Sequence, residues 1–406
     1  MCTFGISRQP RGVALVVMLL VTAVLLLAGT SFLTLSSTEI QIALNERASA
    51  QAHLLAEAAF HKALARLNVD PAYPGETNTP LGGGSFTVNV TTASGCTSTS
   101  ARLLVAKASV PVTGGTATAE IRAIADKVSY PFRWAAFATV PNGIFHFDDY
   151  EGVDRTDKEL WLGNTGLVDS FDSGGGAYDA MANSGARGNV GANGDVTVEY
   201  STEVKGDVQA GEDIIEGPGV TVTGHKNAKA MSEPFPTVTS GSTASTGLML
   251  TAGQTESLSA GTYYYQYLDL GDGASLTVSG PVTIYVTGPP IPGDSWGELV
   301  RLGDNVTLGS EPGTQLRLFT NSEGTAGEIV RVRAKAGFRF YGSLYGTNTD
   351  VYVQSNSEIY GSIIARTILT GDGTKVHYDQ AMSSQEVCHN GKFTIRRGTW
   401  REVIPN

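Results

Sequence analysis

Charged residues are scarce in this sequence. They make up 17% of its 406 residues, whereas about a quarter is usual for a soluble domain. The formal net charge is −11, and no stretch combines clustered Lys and Arg with aromatic residues. Binding of nucleic acid through its phosphates depends on such basic residues, so no nucleic-acid partner is predicted. The acidity is more typical of a soluble, exported surface.

Cysteine is also scarce, and the sequence has only Cys2, Cys96 and Cys388. No C-x-x-C pair occurs, so neither a zinc site nor a redox site is expected. Cys96 and Cys388 both follow a long apolar segment and could form a disulfide in an oxidising compartment, although two unrelated thiols would give the same sequence. The nucleotide-binding patterns G-x-x-x-x-G-K-[ST] and G-x-G-x-x-G are missing as well, and no cofactor or metal is predicted.

The feature that stands out is an uncharged apolar run over residues 14–35. About 20 such residues span the hydrocarbon core of a membrane as a helix. Arg8 and Arg11 precede the run, which places the N-terminus in the cytoplasm and the rest of the chain outside by the positive-inside rule. A secretory signal peptide is the alternative, but its apolar region is shorter and ends at a cleavage site. The longer run favours a membrane anchor.

Helical periodicity continues beyond the apolar run. Apolar residues recur three or four positions apart, as on one face of a helix: Ile40, Leu44, Ala48, Ala52, Leu55, Ala59, Ala63 and Leu67. Asn68-Val69-Asp70-Pro71 predicts the end of the helix. The apolar stripe could pack on the chain's own next domain or on other subunits of a filament.

The N-terminal segment resembles that of PilX-type minor pilins, which assemble with type IV pili. The resemblance rests on the sequence RGVALV at residues 11–16, the apolar run, Glu46-Arg47 and the sequence AEAA at residues 56–59. It implies cleavage by prepilin peptidase after Gly12, with Val13 as the first mature residue, and assembly with other pilin subunits. Major pilins carry Glu at the fifth mature position, where this chain has Val17. The difference is more typical of a low-copy or tip subunit.

Two β regions are predicted after the helix. Phe86, Val88 and Val90 alternate with polar residues, and similar alternation over residues 101–110 and 117–125 predicts a small antiparallel sheet. From residue 132 on, short apolar runs alternate with Gly, Asp and Asn turns, and Tyr341-Gly342-Ser343-Leu344 recurs as Tyr360-Gly361-Ser362-Ile363. This pattern favours a right-handed parallel β-helix over a β-sandwich. It also resembles the β-helical domains that follow PilX-type helices.

The predicted fold class is therefore mainly β, with one long N-terminal transmembrane helix. The predicted divisions are a leader over residues 1–12, the helix over 13–67, the small β region over 68–131, the β-helix over 132–382 and a C-terminal cap or tail over 383–406.

Four groups of residues have side chains that could form chemical sites. Asp169, Asp172 and Asp179 surround a run of three glycines, yet they lack calcium-loop spacing and are better interpreted as turn carboxylates. The group Asp148, Asp149, Glu151 and Asp154 lies in one local loop, which does not suit a glycosidase acid pair. The sequence Gly293-Asp294-Ser295-Trp296-Gly297 lacks the strand and helix that flank a nucleophile elbow. Tyr263-Tyr264-Tyr265 could serve an adhesive surface.

The sequence thus predicts a non-enzymatic envelope protein of a Gram-negative bacterium. It would sit in the inner membrane with its bulk in the periplasm, and a pilus or pseudopilus could carry it to the cell surface, where the β-helix serves assembly priming, adhesion or contact with a surface ligand. The alternatives are a membrane-anchored β-helical polysaccharide hydrolase or lyase, and a static anchored scaffold.

Overall fold

A computed structural model describes residues 11–94, 101–141, 159–237, 244, 246–294, 297–320, 330–388 and 392–403. The chain divides into two compact units. The first, called the helix unit, contains the residues up to Asp126 together with those from Phe393 onward. The second, called the parallel unit, extends from Lys127 to Lys392.

The helix unit begins with α1, which extends from Arg11 to Leu67. Ala and Leu dominate its sequence, and both are strong helix formers. At about 1.5 Å per residue it is roughly 85 Å long. It ends where the amide of Asn68 still donates to the Leu64 carbonyl, and Asp70-Pro71 follows, because proline cannot continue the helix.

Four antiparallel strands follow the helix: β1 (Gly75–Leu81), β2 (Gly84–Ala93), β3 (Ala101–Val112) and β4 (Gly115–Asp126). They pair in sequence order. Alternate side chains of β2, β3 and β4 are buried together with one face of the helix; Phe86, Leu104 and Ile121 are each at most 2% exposed. The long helix and the antiparallel sheet predicted from the sequence are confirmed.

The parallel unit contains β5 to β27. The first strands are β5 (Val128–Ser129), β6 (Ala136–Ala138), β7 (Leu160–Leu162), β8 (Leu167–Phe171), β9 (Val190–Ala192), β10 (Val196–Val198), β11 (Glu203–Val204), β12 (Val208–Ala210), β13 (Ile214–Glu216), β14 (Thr221–Val222) and β15 (Lys226–Asn227). They are followed by β16 (Leu248–Leu250), β17 (Thr255–Tyr265), β18 (Leu268–Leu270), β19 (Ser275–Val286), β20 (Glu298–Leu302), β21 (Thr307–Gly309), β22 (Leu316–Thr320), β23 (Val330–Ala334), β24 (Arg339–Val353), β25 (Glu358–Thr370), β26 (Lys375–Asp379) and β27 (Val387–Cys388).

Consecutive strands of the parallel unit form layers, and parallel pairing joins each strand to a strand of the next layer. Each of β10, β11 and β12 pairs with the strand three before it and the strand three after it. The buried side chains of these strands are mostly Val, Leu and Ile, and they form one continuous core. Asn305 and Asn356 take positive φ angles of 56° at turns between strands, as Asn tolerates better than most residues.

The layers are not stacked in chain order. The layer of β6, β7 and β8 lies between β9–β11 on one side and β25–β26 on the other. The chain thus builds outward from this layer to β15, resumes at β16, and returns toward the layer through β24 and β25. Part of the segment between β15 and β16 lies beside β24, because the hydroxyl of Tyr345 donates to the Pro236 carbonyl at 2.5 Å.

The strands at the end of the chain belong to both units. Strand β27 pairs with β5 within the parallel unit. The last strands, β28 (Thr394–Ile395) and β29 (Arg401–Val403), instead pair antiparallel with β4 of the helix unit. The tail therefore completes the antiparallel sheet, because its apolar residues, including Phe393, join that sheet's core.

Candidate membrane-spanning and docking helix

The first half of α1 exposes an apolar surface on every side. Leu15 is 65% exposed, Phe32 76% and Leu35 63%. The helix contains an 18-residue window with a mean hydropathy of 2.5, none of which is buried within the chain. A helix that is apolar all round is normally covered by protein or by lipid. This segment has the length and composition to cross a membrane.

The hydroxyl groups in this segment are satisfied inside the helix. Thr22 donates to the carbonyl of Met18 at 2.7 Å, and Ser31 donates to that of Leu27 at 2.8 Å. An unpaired polar group costs several kcal/mol in hydrocarbon. The internal bonds remove that cost and make the segment compatible with lipid.

The second half of α1 docks on the sheet through a stripe of small residues. Ala52, Ala56, Ala59 and Ala63 are fully buried, and small side chains bring the helix axis close to the strands. Phe60 lies among them, and its ring contacts that of Trp400 edge-on at 4.9 Å. The predicted stripe therefore packs on the chain's own sheet from Ala48 onward.

The two halves meet at a stretch that neither lies within the apolar run nor docks on the sheet. Ile40 is 58% exposed, Ile42 53% and Leu44 51%. A groove of about 480 Å³ lies where the helix leaves the sheet, and Leu44 and Val110 line it. The predicted stripe is thus unpartnered over its first two positions within the described chain.

A salt bridge and a histidine–carboxylate contact hold the docked half at its ends. Lys62 Nζ lies 2.7 Å from Glu76 Oε2, and this hydrogen bond is the main reason that the pKa of Glu76 is lowered. His53 Nε2 lies 2.7 Å from Glu402 Oε1, which belongs to β29. Both pairs are partly exposed, so each stabilises the unit only modestly.

The predicted processing residues lie at the start of the helix. Gly12 and Val13 are in its first turn, since α1 begins at Arg11. Cys96 lies outside the described residues, so its pairing with Cys388 stays a prediction. The acidic group from Asp148 to Asp154 and the serine at position 295 also lie outside the described residues.

The three aspartates considered for calcium have separate roles in the parallel unit. Asp169 is fully buried and accepts hydrogen bonds from Tyr178 and Ser184, while Asp172 and Asp179 accept bonds from backbone amides in their own turns. Within the described residues, no group of three or more His, Cys, Asp or Glu side chains is placed to hold a metal ion.

Sequence reasoning missed the partner of Asp169. His377 Nδ1 lies 2.6 Å from Asp169 Oδ1, and both side chains are at most 2% exposed. Burial opposes ionisation of Asp169, but the hydrogen bond with His377, followed by that from Tyr178, outweighs it, so the pKa of Asp169 is lowered. The sequence neighbour Asp379 instead accepts from the amides of Ser173 and Ala381.

Together these features define a mainly β chain with a membrane-length apolar helix that continues into a sheet-docked helix. A family described as a domain of unknown function (DUF7305) matches residues 222–385, which lie in the parallel unit. The crystal structure of the competence-associated pilin ComZ from Thermus thermophilus is similar with a TM-score of 0.33 and 14% sequence identity, covering 88% of this chain and 98% of that chain. No curated protein matches the sequence. None of these comparisons assigns a chemistry to this chain.

Proposed function

We propose that this chain is a PilX-type, minor-pilin-like subunit of a type IV pilus or pseudopilus. The observation that carries the proposal is the division of α1 into an exposed apolar half and a half docked on an antiparallel sheet. A helix of this kind can hold a precursor in the inner membrane and then pass into a bundle of similar helices. A sheet-docked second half keeps the subunit's folded part fixed to that helix.

The exposed stretch around Ile40, Ile42 and Leu44 supports assembly rather than anchoring alone. The apolar run up to Leu35 already provides about the 20 residues that a bilayer requires. The three residues beyond it remain more than half exposed, and lipid would not cover them if the run were centred in the membrane. Apolar faces of neighbouring helices are the partners that would bury them, as in any helix bundle.

In this proposal prepilin peptidase cleaves after Gly12 and leaves Val13 as the mature N-terminus. Val17 then occupies the fifth mature position. An apolar residue inserts without the cost of a charge in the bilayer, but it makes no ion pair with a neighbouring subunit's amine. The lack of that contact is more typical of a subunit that is present in few copies or at the filament tip.

The parallel unit is proposed to be a right-handed parallel β-helix that the filament displays. Pairing between strands three apart in sequence supports such a coil. We propose a non-catalytic role for it, in assembly priming, adhesion or contact with a surface ligand, with its bulk in the periplasm of a Gram-negative cell until export.

Mass spectrometry of the native N-terminus tests the proposal. The chain is isolated from a bacterium with prepilin peptidase and from the same strain lacking it. The expected result is an N-methylated Val13 in the first strain and an intact leader in the second. Gly12→Val is expected to block processing, whereas Gly29→Val, the same change within the exposed apolar half, is expected to leave it intact. An intact leader in both strains, or cleavage elsewhere, would contradict the proposal.

Filament association is tested separately with photo-crosslinkers at Ile42 and, as a buried control, at Ala52. Crosslinks to other pilin subunits are expected from position 42 and not from position 52. A chain that is processed at Gly12 but gives no crosslink at position 42 would be an anchored scaffold.

A further inference from the structure

The stack of layers in the parallel unit has two ends, and they are built differently. One end consists of β13, β14 and β15, which pair with β10, β11 and β12 and are only two or three residues long. The other end consists of β16 and β17, which pair with β18 and β19. Strand β17 has 11 residues, and within the described chain no strand is in register with its outer edge. The two ends are called the short-strand end and the β17 end.

An ion pair closes the short-strand end. Glu216 is paired in register with Val198, and Lys226 with Val208; both valines are fully buried in the core. Lys226 Nζ lies 2.7 Å from Glu216 Oε1, so opposite charges replace valines at the last positions of two rows of core residues. Short strands and charges at inward positions keep further strands from adding to an edge. No docking is therefore expected at this end.

The β17 end is closed by aromatic rings instead. Tyr263 and Tyr265 pack against the core but stay only half-buried, and their rings are stacked with centroids 6.4 Å apart. Tyr264, between them in sequence, stacks at 5.3 Å on Tyr285 of the next layer. Most of β17 before these tyrosines is exposed. This end thus presents a long strand edge beside an apolar, aromatic surface, which is the kind of edge to which another strand can add.

The β17 end also carries a carboxylate that lacks a cation. No Lys or Arg occurs in the sequence between Lys229 and Arg301, and Glu256 of β17 makes no ion pair with any residue that the structure describes. Glu256 is paired in register with Leu276, which is fully buried, so it ends a row of core residues. Burial raises the pKa of Tyr265, and the charge of Glu256 adds to that shift, as expected if the carboxylate lies near the aromatic surface.

We propose that the free edge of β17 binds an extended, basic segment of a partner protein as an added strand. Main-chain hydrogen bonds along the edge provide affinity, and alternate side chains provide specificity. In a strand about 4.8 Å beyond β17, apolar side chains would cover Leu258, Tyr263 and Tyr265, and a Lys or Arg would face Glu256. A second copy joined through the same edge does not fit, because β17 has no basic residue to offer. The docking does not depend on processing at Gly12 or on entry into a filament.

The test uses the full-length chain in detergent micelles and three fluorescent peptides. Each peptide has the sequence of β19, residues 275–286, because β19 already pairs with the other edge of β17 and places position 276 opposite Glu256. One peptide is unchanged, one carries Leu276→Lys and one carries Leu276→Glu. In fluorescence anisotropy the Leu276→Lys peptide is expected to bind most tightly, and the Leu276→Glu peptide at least tenfold more weakly. Equal binding of these two peptides, or no binding of the Leu276→Lys peptide, would overturn the proposal.

Variants of the chain locate the binding. Glu256→Lys is expected to reverse the preference, so that the Leu276→Glu peptide binds at least tenfold more tightly than the Leu276→Lys peptide. Glu216→Lys, the same change in the last layer of the short-strand end, should leave the preference as it is. An unreversed preference in Glu256→Lys would refute docking at this edge. Hydrogen exchange of the unaltered chain decides if that variant fails to fold: the Leu276→Lys peptide should slow exchange of the β17 amides and not of the β13 amides, and unchanged β17 exchange refutes the site.

Discussion

Replacement of Phe60 by alanine should release the docked half of α1 from its sheet. Phe60 is fully buried, and its ring lies against Trp400. Truncation of a buried Phe to Ala costs about 3–5 kcal/mol of unfolding free energy. The upper part of this range is expected, because neighbours such as Ala59 and Ala63 are too short to refill the cavity.

Hydrogen exchange of the β3 and β4 amides measures this effect in the full chain in micelles. Because 1.4 kcal/mol corresponds to a factor of ten, opening that exposes these amides should become roughly a hundredfold to a few thousandfold more frequent. Phe32→Ala is the matched control: Phe32 is 76% exposed and contacts detergent whether or not the sheet is folded, so its replacement should change protection less than about threefold. Equal protection in the two variants would refute the docking.

Two further predictions concern the parallel unit. Because the pKa of Asp169 is lowered, its ionised carboxylate stabilises the folded unit above the carboxyl's ordinary pKa of 3.8, and this stabilisation is lost as the pH falls through the folded-state pKa. The urea concentration at the unfolding midpoint should therefore decrease when the pH is lowered below about 4. In Asp169→Asn this decrease should be smaller. Gly361 has a φ of +153°, and a Cβ added there would lie 1.8 Å from the Gly342 carbonyl oxygen, so Gly361→Ala should lower the melting temperature markedly. Gly175→Ala is the control and should change it little, because nothing lies within 4 Å of a Cβ added there. Equal melting temperatures of the two variants would contradict the close approach of the layers.

The helix could be predicted from the sequence because the spacing of apolar residues that indicates a helix involves only residues close together in the chain. Apolar residues at helical spacing identified the stripe, and Ala52 and Ala59 are fully buried. The same pattern could not separate packing within the chain from packing on other subunits, since both require the same periodicity. The structure resolves this by position: the stripe docks from Ala48 onward, whereas Ile40 and Leu44 stay exposed.

In the parallel unit the repeated Tyr-Gly-Ser segments were the most informative local signal. Tyr341 and Tyr360 are in register on neighbouring strands, as their repetition suggested. The order of the layers could not be predicted, because a short apolar strand fits beside almost any other. Ile363 of β25 pairs with Ala136 of β6, and no local pattern marks two segments so far apart in the chain as neighbours.

The parallel unit lies in the chain between the two segments that form the helix unit, and this order affects how the helix unit folds. The chain leaves the antiparallel sheet after Asp126 and returns to the residue opposite it, since Thr394 pairs with Asp126. All of the parallel unit is therefore synthesised before the last strands can add to β4. Those strands bring Trp400 to Phe60, so the surface on which α1 docks is incomplete until they have been synthesised. A truncated chain would retain the apolar half of the helix but lack part of its folded support. This order couples docking of the proposed assembly helix to completion of the unit that it carries.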